Sequence, residues 1–254
     1  MSAIRFPNPP IVEAVIDIHC ELKPSVSLET IKELSKKLQG QYMQHTEIRR
    51  IERTVSFGKD TCTETKDCIT GYRFKSADEK QIAQFKLNGF SFSRLKPYPH
   101  WELFRDNAKE MWAIYSLLGI NNITRVAMRY INVIDIPVPV DNMESYVNGL
   151  PNTPPQMMLS LDTFFNRVQV RDVANGFNAI ITQALQPPKT PNAASVLLDI
   201  DVFKMQMVNQ SFDTVWEMLE QMREFKNKLF MMLLTEKVKR EVLHVVDDAS
   251  HPML

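Results

Sequence analysis

NPPIVEAVIDIHCEL, residues Asn8 to Leu22, decides how the rest of the chain is read. Pro7, Pro9 and Pro10 hold the entry extended, because proline fixes its own φ and pushes the preceding residue toward β or polyproline geometry. Val12, Ala14, Ile16, Ile18, Cys20 and Leu22 then alternate with Glu13, Val15, Asp17, His19 and Glu21, the period of two that marks a half-buried strand. Pro24 ends it. A second run of the same design, Ile123 to Pro137, has Val126, Met128, Tyr130, Ile134 and Ile136 on one face and Arg125, Arg129 and Asp135 on the other.

Each strand is followed by the same kinds of element. After the first, Ser27 offers an N-cap, Glu29 sits where the helix dipole favours an anion, and Leu28, Ile31, Leu34 and Leu38 form a stripe that ends at Gly40. Glu47 to Phe57, Ile69 to Lys75, Gln81 to Leu87 and Phe90 to Leu95 read as a four-stranded antiparallel meander. Gly58 to Asp67 reads as a polar loop and Asn88-Gly89 as a tight hairpin turn. Trp101, Phe104, Ala108, Met111, Tyr115 and Leu118 recur at spacings of three and four, which predicts a helix stopping at Gly119. After the second strand come a short helix over Asp141 to Asn148 and strands over Met157 to Arg171, Gly176 to Leu185 and Ala194 to Met205. A long helix capped by Ser211 follows, with Phe212, Val215, Leu219, Met222, Phe225, Leu229 and Met232 as its stripe.

The fold class is therefore α+β: two pseudo-repeats, 1–120 and 121–254, each a strand, a short helix, an antiparallel meander and a long helix. Two arrangements satisfy this order. Either the meanders join edge to edge into one curved sheet with both long helices on one face, by analogy with TATA-binding-protein-like and helix-grip folds, or the halves pack as separate lobes.

Composition narrows the function. The 254 residues are 44% hydrophobic and 24% charged, an ordinary globular balance. Thirty basic and thirty acidic side chains cancel, so the net-charge signature of counterion-release nucleic-acid binding is absent. With 7 glycines, and with neither G-x-G-x-x-G nor G-x-x-x-x-G-K-[ST], phosphate-cradling loops lack sequence support. Three cysteines, Cys20, Cys62 and Cys68, make no disulfide framework and fit a reducing compartment. No apolar run approaches the ~18 residues that a membrane span needs, and no leader pattern opens the chain, so the expected address is the cytoplasm.

No catalytic, metal or cofactor motif is expected. His19, His45, His100, His244 and His251 are scattered, Cys62 and Cys68 lack C-x-x-C spacing, and there is no G-x-S-x-G elbow. Glu13, Asp17, His19 and Glu21 share a strand face, but a solvated sheet face ordinarily looks like this. A metal pair at Asp199 and Asp201 lacks a third ligand at recognisable spacing. Arg125 and Arg129, with Arg167 and Arg171 on a following strand, are the candidate ligand-binding residues, suited to phosphate or carboxylate. Their alternative is pairing with Asp135, Asp199 or Asp201. Met218, Met222, Phe225, Met231 and Met232 on the last helix are the candidate interface residues, methionine being both a core filler and an adaptable contact surface.

Asn8-Pro9-Pro10-Ile11-Val12-Glu13-Ala14-Val15, with Gly89 to Tyr98 and the following Trp101, resembles a sporadically distributed family of uncharacterised bacterial and archaeal proteins with an N-terminal NPPIxEAV motif. Arg125, Arg129, Tyr130, Asn132 and Leu234-Thr235-Glu236 extend the resemblance over nearly the whole chain. It implies no activity or catalytic residue, and its patchy distribution is common among mobile-element and antiviral-defence genes. The expected function is a non-catalytic, cytoplasmic interaction or assembly protein that uses a sheet edge or the last helix to contact itself or another protein. The alternative is an anionic small molecule, or less favoured a nucleic acid, bound on the arginine-bearing sheet surface.

Overall fold

A computed structural model describes residues 6, 9–38, 40, 42–56, 62–138, 140, 143–150, 163–187, 193–205 and 212–244. The protein is mixed α+β and built on one antiparallel sheet. Its strands are β1 (Ile11–Leu22), β2 (Tyr42–Ser56), β3 (Cys62–Ser76), β4 (Gln81–Lys86), β5 (Gly89–Leu95), β6 (Ile120–Pro137), β7 (Phe165–Asp172), β8 (Phe177–Gln186) and β9 (Ala193–Met205). The helices are α1 (Leu28–Ser35), α2 (Trp101–Ser116) and α3 (Phe212–Leu233). The strands lie in the order β2-β3-β4-β5-β1-β6-β9-β8-β7.

The two runs singled out in the sequence sit side by side at the centre, β1 antiparallel to β6 with Ile16 opposite Met128 and Ala14 opposite Tyr130. Their alternation is realised: Ala14, Ile16, Ile18 and Cys20 of β1 and Val126, Met128 and Tyr130 of β6 are buried, and the residues between them face away. Phe90 and Phe92 of β5 extend the apolar face on one side, and Leu198, Ile200 and Val202 of β9 on the other.

Both long helices cover this face. Phe85, Phe90, Trp112 and Tyr115 form an aromatic group under α2 with centroid separations of 5.4–6.0 Å, and burying each such ring contributes roughly 1.5–3 kcal/mol. The helices touch one another as well: Trp101 Nε1 donates to Glu220 Oε1 at 2.8 Å, and Arg105 Nη1 to the same oxygen at 2.9 Å. Ser27 caps α1 as its sequence predicts, in a capping box with Thr30. His100 caps α2 by accepting from the Leu103 amide, a role its spacing did not suggest.

Two differences from the sequence reading stand out. β3 begins at Cys62, so part of the expected polar loop is instead the far arm of a long β2–β3 ribbon, with Arg49 opposite Ile69 and Glu52 opposite Lys66. Because β4 pairs only with Gly71–Lys75, no third strand among the described residues borders the outer ribbon, and Ile51, Glu52, Lys66 and Asp67 there are exposed. The short helix expected over Asp141–Asn148 is a 3-10 turn at Met143–Ser145. Beyond α3 the chain forms a short second helical piece, which ends in the π-helical turn Val238–Val242. Asn8, Met157 to Leu161 and Ser211 lie outside the described residues.

One charged group sits within the helix-covered side. Lys226 of α3 is 8% exposed, with Nζ 3.9 Å from the centre of the Tyr130 ring. Burial, with a smaller push from Arg223, lowers its pKa to about 7. The unfolded lysine, at ~10.4, keeps its proton over a range where the folded one has lost it. The cost of burial is therefore fully present below pH 7 and is relieved as pH rises toward the unfolded value. Lys226→Met is expected to raise stability at neutral pH by on the order of a few kcal/mol. It should also remove the alkaline gain in stability that urea unfolding of the wild type shows between about pH 7 and about pH 10.

Candidate functional site

The sheet face opposite the helices carries none of them among the described residues, and the register fixes which side chains meet there. Directly opposed residues of antiparallel strands point to the same face, so three rows run across β6, β1, β5 and β4. The first is Arg125, His19, Gly89 and Lys86; the second Ala127, Asp17, Ser91 and Gln84; the third Arg129, Val15, Ser93 and Ile82. Small residues in the middle and long charged ones around them leave a cavity of about 310 Å³.

Asp17 is its hub. Arg125 Nη1 donates to Asp17 Oδ2 at 2.9 Å, His19 Nε2 lies 2.9 Å from the same oxygen, and Lys86 Nζ is 3.4 Å from Oδ1. Burial opposes the Asp17 charge, but the His19 hydrogen bond and the charges of Lys86 and Arg125 outweigh it and hold the carboxyl below the usual range. Asp201 shows the opposite balance. Burial pushes its carboxyl up, Arg125 and Arg129 only partly offset this, and Asp199 and Asp17 add repulsion. Arg125 bridges the two acids, reaching Asp201 Oδ2 at 3.1 Å, and its guanidinium lies 5.0 Å from the centre of the Phe203 ring.

Arg129 makes a two-pronged pair with the buried Asp199, Nε to Oδ1 at 2.8 Å and Nη2 to Oδ2 at 2.6 Å. That pair raises the Arg129 pKa. Of the four arginines proposed from sequence, Arg125 and Arg129 therefore share the cavity and are engaged by Asp17, Asp199 and Asp201. Arg167 and Arg171 lie on the same face, opposite Thr182 and Asn178. They stand three strands from β6, roughly 14 Å at ~4.8 Å per strand. Asp135, the third expected partner, instead receives the Ser195 hydroxyl.

Of the five candidate interface residues on α3, Met218 and Met222 are buried in the protein's own core, Phe225 and Met231 are half-buried against it, and Met232 alone is exposed. Apolar exposure is also marked at β7 and its turn, where Phe165 is 70% and Val173 88% exposed, against 67% for Met232. Sequence reasoning did not single out Lys86, Ser91, Ser93 or Gln84, because each gains meaning only from the strand opposite it.

A second cavity, of about 380 Å³, lies between the β3–β4 turn and α2, lined in part by Tyr42, Asp78, Gln81 and Glu110. Its main polar contact, Tyr42 Oη to Gln81 Oε1 at 2.8 Å, is already satisfied, so the charged cavity is the better candidate. Among the described residues no cluster of three or more His, Cys, Asp or Glu is placed to hold a metal ion, and no helix is long and apolar enough to cross a membrane. Cys20 and Cys68 are free thiols. Comparison with protein-family models finds no match, and comparison with curated proteins finds no significant one.

The two aspartates are expected to separate on mutation. Asp17→Asn leaves Lys86 and Arg125 without the carboxylate they share and should cost about 1–3 kcal/mol at neutral pH. The stability it removes is present above the unfolded carboxyl pKa and is lost in the wild type as acid titrates Asp17 below it. Asp201→Asn removes a charge that the fold disfavours, and urea midpoints should show a change within about 1 kcal/mol, toward greater stability.

Proposed function

We propose that this protein is a non-catalytic, cytoplasmic assembly module that joins a second copy of itself through the free edge of its sheet at β7. The observation that carries this reading is the state of that edge. Among the described residues β7 pairs only with β8, so one row of its backbone groups has no strand partner. Its side chains include exposed Phe165 and Val168, with Val173 beyond. Such an edge is a template for another strand. The opposite edge, β2, is guarded by charge: Arg49 pairs with Glu47 and Asp67, and Arg50 with Glu52.

Register selects the pairing. A two-fold axis through Val168, normal to the sheet, sets Phe165 opposite Arg171 and Arg167 opposite Gln169. Centring on Gln169 instead sets Arg167 against Arg171, and centring on Arg167 sets that residue against itself; both place like charges face to face. The Val168 register also uses the full length of the strand and extends the sheet across the dimer.

Two further inferences accompany this reading without being needed by it, and one alternative stands beside it. The two halves, 1–120 and 121–254, are pseudo-repeats related about the β1–β6 pair, since each runs from a central strand through antiparallel strands to a long helix on the shared face. The architecture is then of the TATA-binding-protein-like or helix-grip kind. The resemblance to the NPPIxEAV family supports an origin in a mobile-element or antiviral-defence locus. Binding of a nucleic acid across Arg125, Arg129, Arg167 and Arg171 has their common face in its favour, and the carboxylate pairing and the spacing of those residues against it.

Light scattering at increasing concentration should give a dimer mass for the wild type and a monomer mass for Val168→Lys, whose charge lies on the edge without touching the core. A wild type that stays monomeric at high concentration would sink the proposal.

A further inference from the structure

We infer that the charged cavity on the bare sheet face is a binding site for a small zwitterion of the α-amino acid class. Three features of the cavity define that ligand, and none depends on how copies of the protein associate.

The first is unused hydrogen-bonding capacity on a built floor. Ser91 and Ser93 are each 5% exposed and line the cavity, and their hydroxyls make no side-chain hydrogen bond among the described residues. Both hydroxyls open to the cavity, and side by side they offer a polar guest donors and acceptors.

The second is the balance of charge. Lys86, Arg125 and Arg129 line the cavity together with Glu13, Asp17 and Asp201. A phosphate or a nucleic-acid backbone entering there meets as many anions as cations, whereas a ligand with one charge of each sign and no net charge meets complementary groups.

The third is which of those charges are still available. Arg125 is held by Asp17 and Asp201. Arg129 spends Nε and Nη2 on Asp199, so its Nη1 is left, and its side chain is 48% exposed. Glu13 has no ion-pair partner among the described residues yet lies close enough for its charge to act on Arg129. Glu13 on β1 and Arg129 on β6 are near-neighbours in the register, with Glu13 opposite Ile131 and Arg129 opposite Val15. An α-ammonium on Glu13 and an α-carboxylate on Arg129 Nη1 fit this corner. The ligand side chain then crosses Val15, Ser93 and Ser91 toward Gln84 and Lys86.

The test titrates free L-glutamine, L-asparagine and L-serine, and their Nα-acetylated forms, into the protein while amide NMR shifts are followed. A free amino acid should shift the amides of Val15, Ser91, Ser93 and Ala127. The N-acetylated forms, which lack the ammonium, should bind about tenfold or more weakly. Glu13→Gln and Ser93→Val, neither of which breaks an internal pair, should each weaken binding by about tenfold, with Arg167→Gln without effect as the control. No response to any free amino acid at about 10 mM overturns the inference. So does equal binding of the acetylated forms, or salt-sensitive binding of single-stranded nucleic acid that Arg167→Gln abolishes.

Discussion

Everything in this molecule hangs on the antiparallel pairing of β1 with β6. Among the described residues it is the one ladder that joins the strands of the first half to those of the second, and it runs the length of β1, from Ile11 opposite Asn132 to Leu22 opposite Ile120. On one side it sets Ile16 beside Met128 beneath the helices; on the other it sets Asp17 beside Ala127 and brings Arg125 to the Asp17 carboxylate. A slip of one residue would turn the charged face into the core. The same register thus fixes the fold and the chemistry of the bare surface.

Much of this was legible along the chain, because the information is local. The alternation in Ala14-Val15-Ile16-Asp17-Ile18 names the buried face of β1, and the spacing of Phe104, Ala108, Met111 and Tyr115 names the buried stripe of α2. Asp199 and Asp201 were foreseeable partners for the arginines for the same reason, since both lie in a strand with their charged side chains on one face. The β2–β3 ribbon was harder. Its outer arm has no apolar face to bury, so it lacks the period-two signal, and polarity there looks like a loop.

The composition of the cavity was legible only in part: Glu13, Asp17, Arg125, Arg129 and Asp201 stand out along the chain, and the rest of its lining does not. Ser91, Ser93 and Lys86 are unremarkable in their own strands, and they acquire a common purpose only because β5 inserts beside β1 and β4 beside β5. The methionines of α3 show the reverse error: a stripe wider than one contact seemed to call for a partner, and the second surface it meets is the protein's own sheet, with Met222 fully buried. Lys226 belongs to the same lesson. In sequence it is a polar position on a helix, and only the packing of α3 over Tyr130 turns it into a cation over an aromatic ring.

The order of the strands carries a further consequence, for how the chain is made. β1 leaves the ribosome first, and β5 can join it once the first half is out, but its other edge waits for β6, whose own second neighbour, β9, comes some sixty residues later still. A nascent chain that has emerged only as far as α2 therefore presents the most apolar strand of the first half with one side uncovered. Synthesis speed across residues 120–137 then sets how long that edge is exposed, and a pause there is a hazard of aggregation rather than an aid to folding.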